Sequence, residues 1–313
     1  MAQPSETFDT YDSIGEREDL SDVIYNISPT DTPFLSSAAK TQATAVLHEW
    51  QTDSLAAAVT NNAVIEGDEA TADAVTATTR LSNSSQILDK VVTITGTQEA
   101  VDKAGRASEI AYQIAKKAKE LKRDLESSLT SNNAEVTGSA STARQVGGLG
   151  SWVATNDVFG SGGASGGLGN TARTNGTQRA FTEAQLKSVI KSVWNAGGNP
   201  QIIMVGPFNK QKLSGFTGNS TRFDAGADAT LYTSVDVYAS DFGQTQVIPN
   251  RFSRDRDGWV LDMDYWGVAF LRDFSMHELA KTGDTEKRQL LVECTLESRN
   301  EAASGLIADL TTS

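Results

Sequence analysis

The chain has 313 residues, with 27 Lys and Arg against 40 Asp and Glu, a formal net charge of −13, one cysteine and two histidines. That length suits one large domain or two ordinary ones. No apolar run is long enough to span a membrane or form a signal-peptide core, and Cys294 alone excludes an internal disulfide framework. Fifteen acidic but only three basic side chains lie in residues 1–89, and the remainder is nearly neutral, which argues against the clustered Lys and Arg of an ordinary DNA-binding protein.

Residues 1–40 carry few large apolar side chains and are punctuated by Pro29 and Pro33, so they read as an arm with one short helical stretch near 17–27. Residues 43–50 and 85–95 are strand-like, with Val91, Val92, Thr93 and Ile94 marking a return strand. Between them, residues 54–84 contain no aromatic side chain and too little apolar surface to fold on themselves. They read either as a disordered loop or as a long two-stranded projection ordered by a neighbouring subunit, because an isolated hairpin is marginal in water.

A helix is predicted over 108–131, where Ile110, Ile114, Ala118, Leu121, Leu125 and Leu129 recur at spacings of three and four. Its other face carries Lys116, Lys117, Lys119, Lys122 and Arg123, either a solvated face or a basic strip on which the acidic first third of this or an adjacent subunit docks. Residues 138–176 are rich in Gly, Ser, Ala and Thr and read as a flexible surface loop. A helix over 183–196, capped by Thr182 and stopped by Gly197 and Gly198, leads into a buried strand over 201–205, and a short helix after Pro207 ends near Gly215.

The last third alternates like sheet at 235–240, 246–248, 259–263, 265–271 and 289–296. In the last of these, Leu290, Val292, Cys294 and Leu296 share one face while Glu293, Thr295 and Glu297 share the other. Helices and strands are segregated as well as mixed, which makes the fold class α+β rather than a repeated βαβ unit.

Residues able to do chemistry are sparse. His48 and His277 have no second histidine or cysteine at metal-ligand spacing and no nucleophile elbow, so neither a zinc site nor a serine triad is expected. Gly167 to Ala172 match G-x-G-x-x-A, but no strand precedes the motif and no helix follows it. The pairs Asp262 with Asp264 and Asp255 with Asp257 leave a cation site or a carboxylate-dependent hydrolase conceivable. Cys294, on an alternating strand, reads as an inert buried thiol. No enzyme activity and no cofactor are expected.

The segment ISPTDTPFLSSAAK at 27–40, followed by HEWQTDSL at 48–55, resembles the start of tailed-phage major capsid proteins with the Hong Kong 97 (HK97-like) fold. The order that follows, hairpin, long helix, glycine-rich region, helix, the strand IIMVGP at 202–207, short helix and terminal sheet, is similar across nearly the whole chain. The resemblance implies an N-terminal arm at 1–40, an extended loop at 41–95, and a peripheral domain from 96–135 and 236–313 with its spine helix at 108–131. Residues 136–235 would form an axial domain.

The same resemblance implies a virion protein, assembled in the host cytoplasm, that builds hexamers and pentamers of itself into an icosahedral shell around double-stranded DNA. Separate scaffolding and portal proteins, with decoration proteins as optional partners, are implied; specific DNA binding and membrane contact are not. Some relatives join subunits by an isopeptide bond from a lysine on the extended loop, but no lysine lies between Thr41 and Asp89, so non-covalent contacts are expected. Other relatives carry a longer scaffolding segment before the hairpin than the 40 residues here, and Met1 argues against prior trimming. Candidate inter-subunit contacts are Trp50, Asp53, Glu66, Asp68 and Glu69, opposite Lys116, Lys117, Lys119, Lys122 and Arg123. A tail-tube, fibre or surface-array subunit shares the composition, but the amphipathic helix disfavours these largely β architectures.

Overall fold

The computed structural model describes residues 30–216 and 236–313. Residues 1–29 of the arm expected over 1–40, with its helical stretch, lie outside them. The arm's last residues belong to the body: helix α1 (Pro33–Ser37) starts on Pro33 and buries Phe34 and Leu35, and strand β1 (Ala39–Gln42) enters a sheet.

Strands β2 (Leu47–Thr52) and β3 (Thr79–Ser84) form an antiparallel ladder from Leu47 opposite Ser84 to Thr52 opposite Thr79. The return strand is therefore residues 79–84 and not the 85–95 that the sequence suggested. Residues 86–95 form a separate strand, β4 (Gln86–Thr95), which turns away to pair with β11 (Thr285–Ser298). Alternation identifies a strand but not its partner, which explains why 85–95 reads as the hairpin's return.

Helix α2 (Gly96–Ala100) precedes α3 (Glu109–Leu129), a rod about 32 Å long. The Ser108 hydroxyl caps α3 by accepting from the Ala111 amide at 3.3 Å. Its expected apolar row is buried at Leu121, Leu125 and Leu129 and half-buried at Ile110, Ile114 and Ala118. Each fully buried leucine contributes ~1.5–3 kcal/mol. The helix lies on a four-stranded sheet ordered β1, β10 (Trp266–Glu278), β11, β4, in which only β1 with β10 is parallel.

After α3 come α4 (Leu149–Trp152), β5 (Asp157–Val158), α5 (Glu183–Asn195), β6 (Ile202–Val205) and α6 (Pro207–Ser214). With β7 (Val237–Ser240), β8 (Gly243–Pro249), β9 (Gly258–Leu261) and β12 (Gly305–Ile307), they build a six-stranded sheet ordered β5, β12, β9, β6, β8, β7. A division at residue 236 therefore does not follow sheet membership, since β7, β8, β9 and β12 all join the sheet containing β6. Of the closing strands, only β10 and β11 return to the sheet under α3.

One core lies between the sheets and joins Phe34, Leu125, Leu129, Trp152, Trp259, Trp266 and Leu296; the other packs α5 on β6, β8 and β9 through Leu186, Val189, Ile190, Ile203 and Val247. Helix α5 opens with a reciprocal box: Thr182 Oγ accepts from the Gln185 amide and Gln185 Oε1 accepts from the Thr182 amide. Thr182→Ala should lower subunit stability by about 1 kcal/mol, measured by urea unfolding, because a helix-end donor loses its acceptor.

The glycine-rich segment is packed rather than loose. Val146, Leu149, Trp152 and Val153 are buried within it, and Gly169, at φ +89°, leaves room for the Trp152 ring, which a Cβ would approach to 2.7 Å. Its far end is held by charge. Arg173, fully buried, donates through Nη2 to Asp257 Oδ1 at 2.6 Å and stands 3.6 Å from Asp309 Oδ1. Arg254 pairs with Asp257 at 3.1 Å and Arg256 with Asp309 at 2.6 Å. Asp309, at φ +60°, also accepts from the Gly160 amide. Arg173 lies more than eighty residues from either aspartate in sequence, so composition alone could not show that the segment is pinned.

Candidate assembly interface

The hairpin root is built from three contacts. Trp50 donates from Nε1 to the Ser298 carbonyl at 2.7 Å and packs on Trp152 with ring centroids 5.4 Å apart. Asn83, fully buried, donates to the carbonyls of Gly147 and Leu296 and accepts from the Gly147 amide. Ser85 donates to Glu293, a carboxylate also held by Arg144 at 2.6 Å and Arg272 at 2.7 Å. Trp50, expected at a subunit contact, thus anchors the hairpin of its own subunit. Asn83 gave no sequence signal, since a lone Asn in polar text looks like any surface residue.

Beyond this root, residues 53–78 form no regular element and bury nothing. Leu55 is 99% exposed, Val75 96%, Val64 83%, Ile65 78% and Val59 72%, far above what scattered surface aliphatics show. A turn at Glu66 and Gly67 is closed by the Asp68 amide donating to the Ile65 carbonyl at 3.1 Å, with Gly67 at φ +84°. Asp53, Glu66, Asp68, Glu69 and Asp73 give this segment five carboxylates and no cation. Among the described residues, Asp53 and Asp68 accept only from the amides of the residues that follow them.

The basic strip on α3 is narrower than its sequence. Lys117 pairs with Glu120 at 2.7 Å. Arg123 lies over the Phe252 ring at 5.2 Å, and Lys122 over the Phe274 ring at 5.9 Å. Lys116 and Lys119 are exposed and make no ion pair among the described residues. The open cations of α3 are therefore Lys116 and Lys119, with Lys122 held against an aromatic face.

Side chains that raised the question of catalysis have structural roles. Asp262 is buried, caps a 3-10 turn through the Asp264 amide and accepts from the Asn199 amide at 2.9 Å. Asp264 accepts from Gln201, and Asp257 is held by two arginines. Among the described residues, no three His, Cys, Asp or Glu side chains are grouped to hold a metal. His277 shares a hydrogen bond with Ser275 at 3.1 Å, and His48 stands 3.6 Å from Glu297. Burial pushes the Cys294 thiol up to about 12, which keeps it protonated and unreactive at neutral pH. The segment containing Gly167 to Ala172 is a turn closed by Gly167 N to Thr171 O, not a strand-to-helix phosphate loop. No described helix is long and apolar enough to cross a membrane.

A long helix across a four-stranded sheet, a second mixed sheet and a projecting hairpin with an unpacked end define an HK97-like capsid subunit. The chain superimposes on the cyanophage A-1(L) capsid with TM-score 0.65 at 14% identity, covering 97% of this chain and 98% of that one. It matches the capsid of a native GTA particle with TM-score 0.65 at 12% identity, covering 96% and 98%. The chain belongs to the SU10 major capsid protein family, whose model matches residues 3–311. The major capsid protein of Escherichia phage Phieco32 is 30% identical over 345 aligned positions, covering 98% of this chain and 97% of that protein. The chain is a major capsid protein of a tailed phage and a component of its virion.

Proposed function

We propose that neighbouring copies complete the fold of this subunit, so that hexamers and pentamers close into an icosahedral shell without covalent cross-links and enclose double-stranded DNA without specific binding. Residues 53–78 form the outer part of an extended loop on β2 and β3, α3 is the spine of a peripheral domain, and the sheet around α5 forms the axial domain. The reading is carried by the stripped exposure of Leu55, Val59, Val64, Ile65 and Val75 on a segment with no surface of its own to cover them. Covering these five side chains would release on the order of 10 kcal/mol gross per loop, from which loop ordering and lost motional freedom subtract most. Weak single contacts let misplaced subunits leave, and many contacts per subunit hold the closed shell.

Lys116 and Lys119 on a neighbour's α3 are the complement to the five loop carboxylates, giving register more than affinity. Host-cytoplasm assembly with separate scaffolding and portal proteins, and no enzyme activity, belong to the same reading. The test replaces Val64 and Ile65 by aspartate. Particles, counted by negative-stain microscopy and light scattering, should disappear, while the unfolding free energy of the unassembled subunit stays within about 0.5 kcal/mol of wild type because neither side chain is buried there. Normal particles from this variant would remove the basis of the proposal. Lys116, Lys117 and Lys119 changed together to glutamate should weaken assembly and flatten its salt dependence.

A further inference from the structure

A groove of about 630 Å³ opens between α1, the end of β1, α3 and the middle of β10. Leu35, Phe270, Leu271 and Phe274 give it an apolar floor, and Phe274 is 39% exposed. Lys40 and Lys122 stand on its walls, make no ion pair among the described residues, and face one carboxylate, Asp273. Strand β1 pairs with β10 only from Gly267 to Phe270, so the β10 edge along the groove has no strand partner among the described residues. An apolar trough with cationic walls fits an amphipathic acidic helix.

Such a segment lies a few residues from the groove wall. Residues 1–29 hold seven acidic side chains and one basic one. Leu20, Val23, Ile24 and Ile27 recur at i, i+3, i+4 and i+7, one helical stripe, with Glu18, Asp19 and Asp22 between and before them. Thr32, which lines the groove, follows Ile27 by five residues. The intervening Ser28-Pro29 is a sequence of the kind that favours a type I turn, with Ser first and Pro second, which suits a reversal of the chain. So short a tether gives a local concentration in the millimolar range, favouring the subunit's own groove over a neighbour's.

We propose that residues 17–27 fold back as a helix into the groove of their own subunit, Leu20, Val23, Ile24 and Ile27 on the apolar floor and the carboxylates toward Lys40 and Lys122. The arm thus closes an apolar surface within the subunit, a role separate from that of the loop at 53–78 between subunits. The shell reading does not depend on it.

Two measurements decide the matter. In unassembled subunits, amides of 17–27 should exchange hydrogen at least about tenfold more slowly than those of 54–75 in the same molecules. Leu20→Asp with Ile24→Asp should abolish that protection, and Lys122→Glu should reduce it. Equal exchange in the two segments of the wild-type chain overturns the proposal. In assembled particles, where Cys294 is buried and unreactive, oxidation of a Val23→Cys, Ser36→Cys double variant should give a cross-linked single chain. Particles co-assembled from the two single variants should give no dimer. A dimer band from that mixture would place the arm on a neighbouring copy and overturn the same-subunit assignment.

Discussion

Arg173→Ala should lower the unfolding free energy of the subunit by about 3–5 kcal/mol, the largest stability loss expected from a single substitution in the glycine-rich segment. The guanidinium is fully buried and lies between Asp257 and Asp309, both also buried. Removing it leaves carboxylate charge in a buried region, and Arg254 and Arg256 each neutralise only one side. Burial already raises the Asp257 carboxyl above its usual range despite Arg173 and Arg254. For Asp309, burial opposes ionisation, but the Gly160 and Gly176 amides with Arg173 and Arg256 outweigh it and hold that carboxyl low.

The same substitution should release the segment it pins. Limited proteolysis should cut Arg173→Ala subunits between 157 and 179 under conditions where wild type resists, because the Asn132 bridge to the Arg173 backbone and the Gly160 contact to Asp309 lose their common anchor. An unfolding free energy within about 0.5 kcal/mol of wild type would show that water reaches the cluster and screens it. Arg173→Lys should recover only part of the loss, since an ammonium cannot present the two-pronged face that spans both aspartates.

Glu126→Ala should cost about 3–5 kcal/mol, because three buried donors lose one acceptor. Oε1 accepts from the Phe34 amide at 2.8 Å and Asn250 Nδ2 at 2.7 Å, and Oε2 accepts from the Leu35 amide at 2.8 Å. This single side chain of α3 ties the end of the arm and the loop after β8 to the long helix. Glu126→Gln keeps one oxygen but turns an amide NH₂ toward a donor, so it should lose about half as much.

The pH dependence separates burial from hydrogen bonding. Burial raises the Glu126 carboxyl, and the donors from Leu35, Phe34 and Asn250 pull it down without restoring its ordinary value of 4.5. With the folded value above the unfolded one, the folded subunit takes up the proton first. This group therefore favours folding more as pH falls through its folded value, and the gain is complete below about 4.5. The stability gap between wild type and Glu126→Gln should widen from pH 7.5 to pH 5. A gap that narrows would mean that the three donors outweigh burial.

Much of the architecture was legible in the chain. Helix α3 follows from Ile110, Ile114, Leu121, Leu125 and Leu129, helix α5 from the Thr182 cap and the Gly197 stop, and β11 from Leu290, Val292, Cys294 and Leu296. The unpacked loop followed from 54–84 having no aromatic side chain and too few large aliphatics to bury one another, and the family from its opening motif. What these signals share is range: propensity, periodicity and capping act within about ten residues, so local text encodes them.

Partner choice acts across the chain, and only the tertiary structure decided it. Residues 85–95 read as the hairpin's return strand, yet β4 pairs with β11 some two hundred residues away. The glycine-rich stretch read as loose, yet Arg173 meets Asp257 and Asp309 at its end. Trp50 gave no sign of its partners within the subunit, the Ser298 carbonyl and the Trp152 ring. Glu126 and Asn83 gave no signal because a buried polar side chain is tolerated only where its partners arrive from elsewhere in the fold. The sequence by itself determined which elements form and that one segment cannot bury itself. The tertiary structure decided which strands meet, which charges are buried, and which side chains remain exposed.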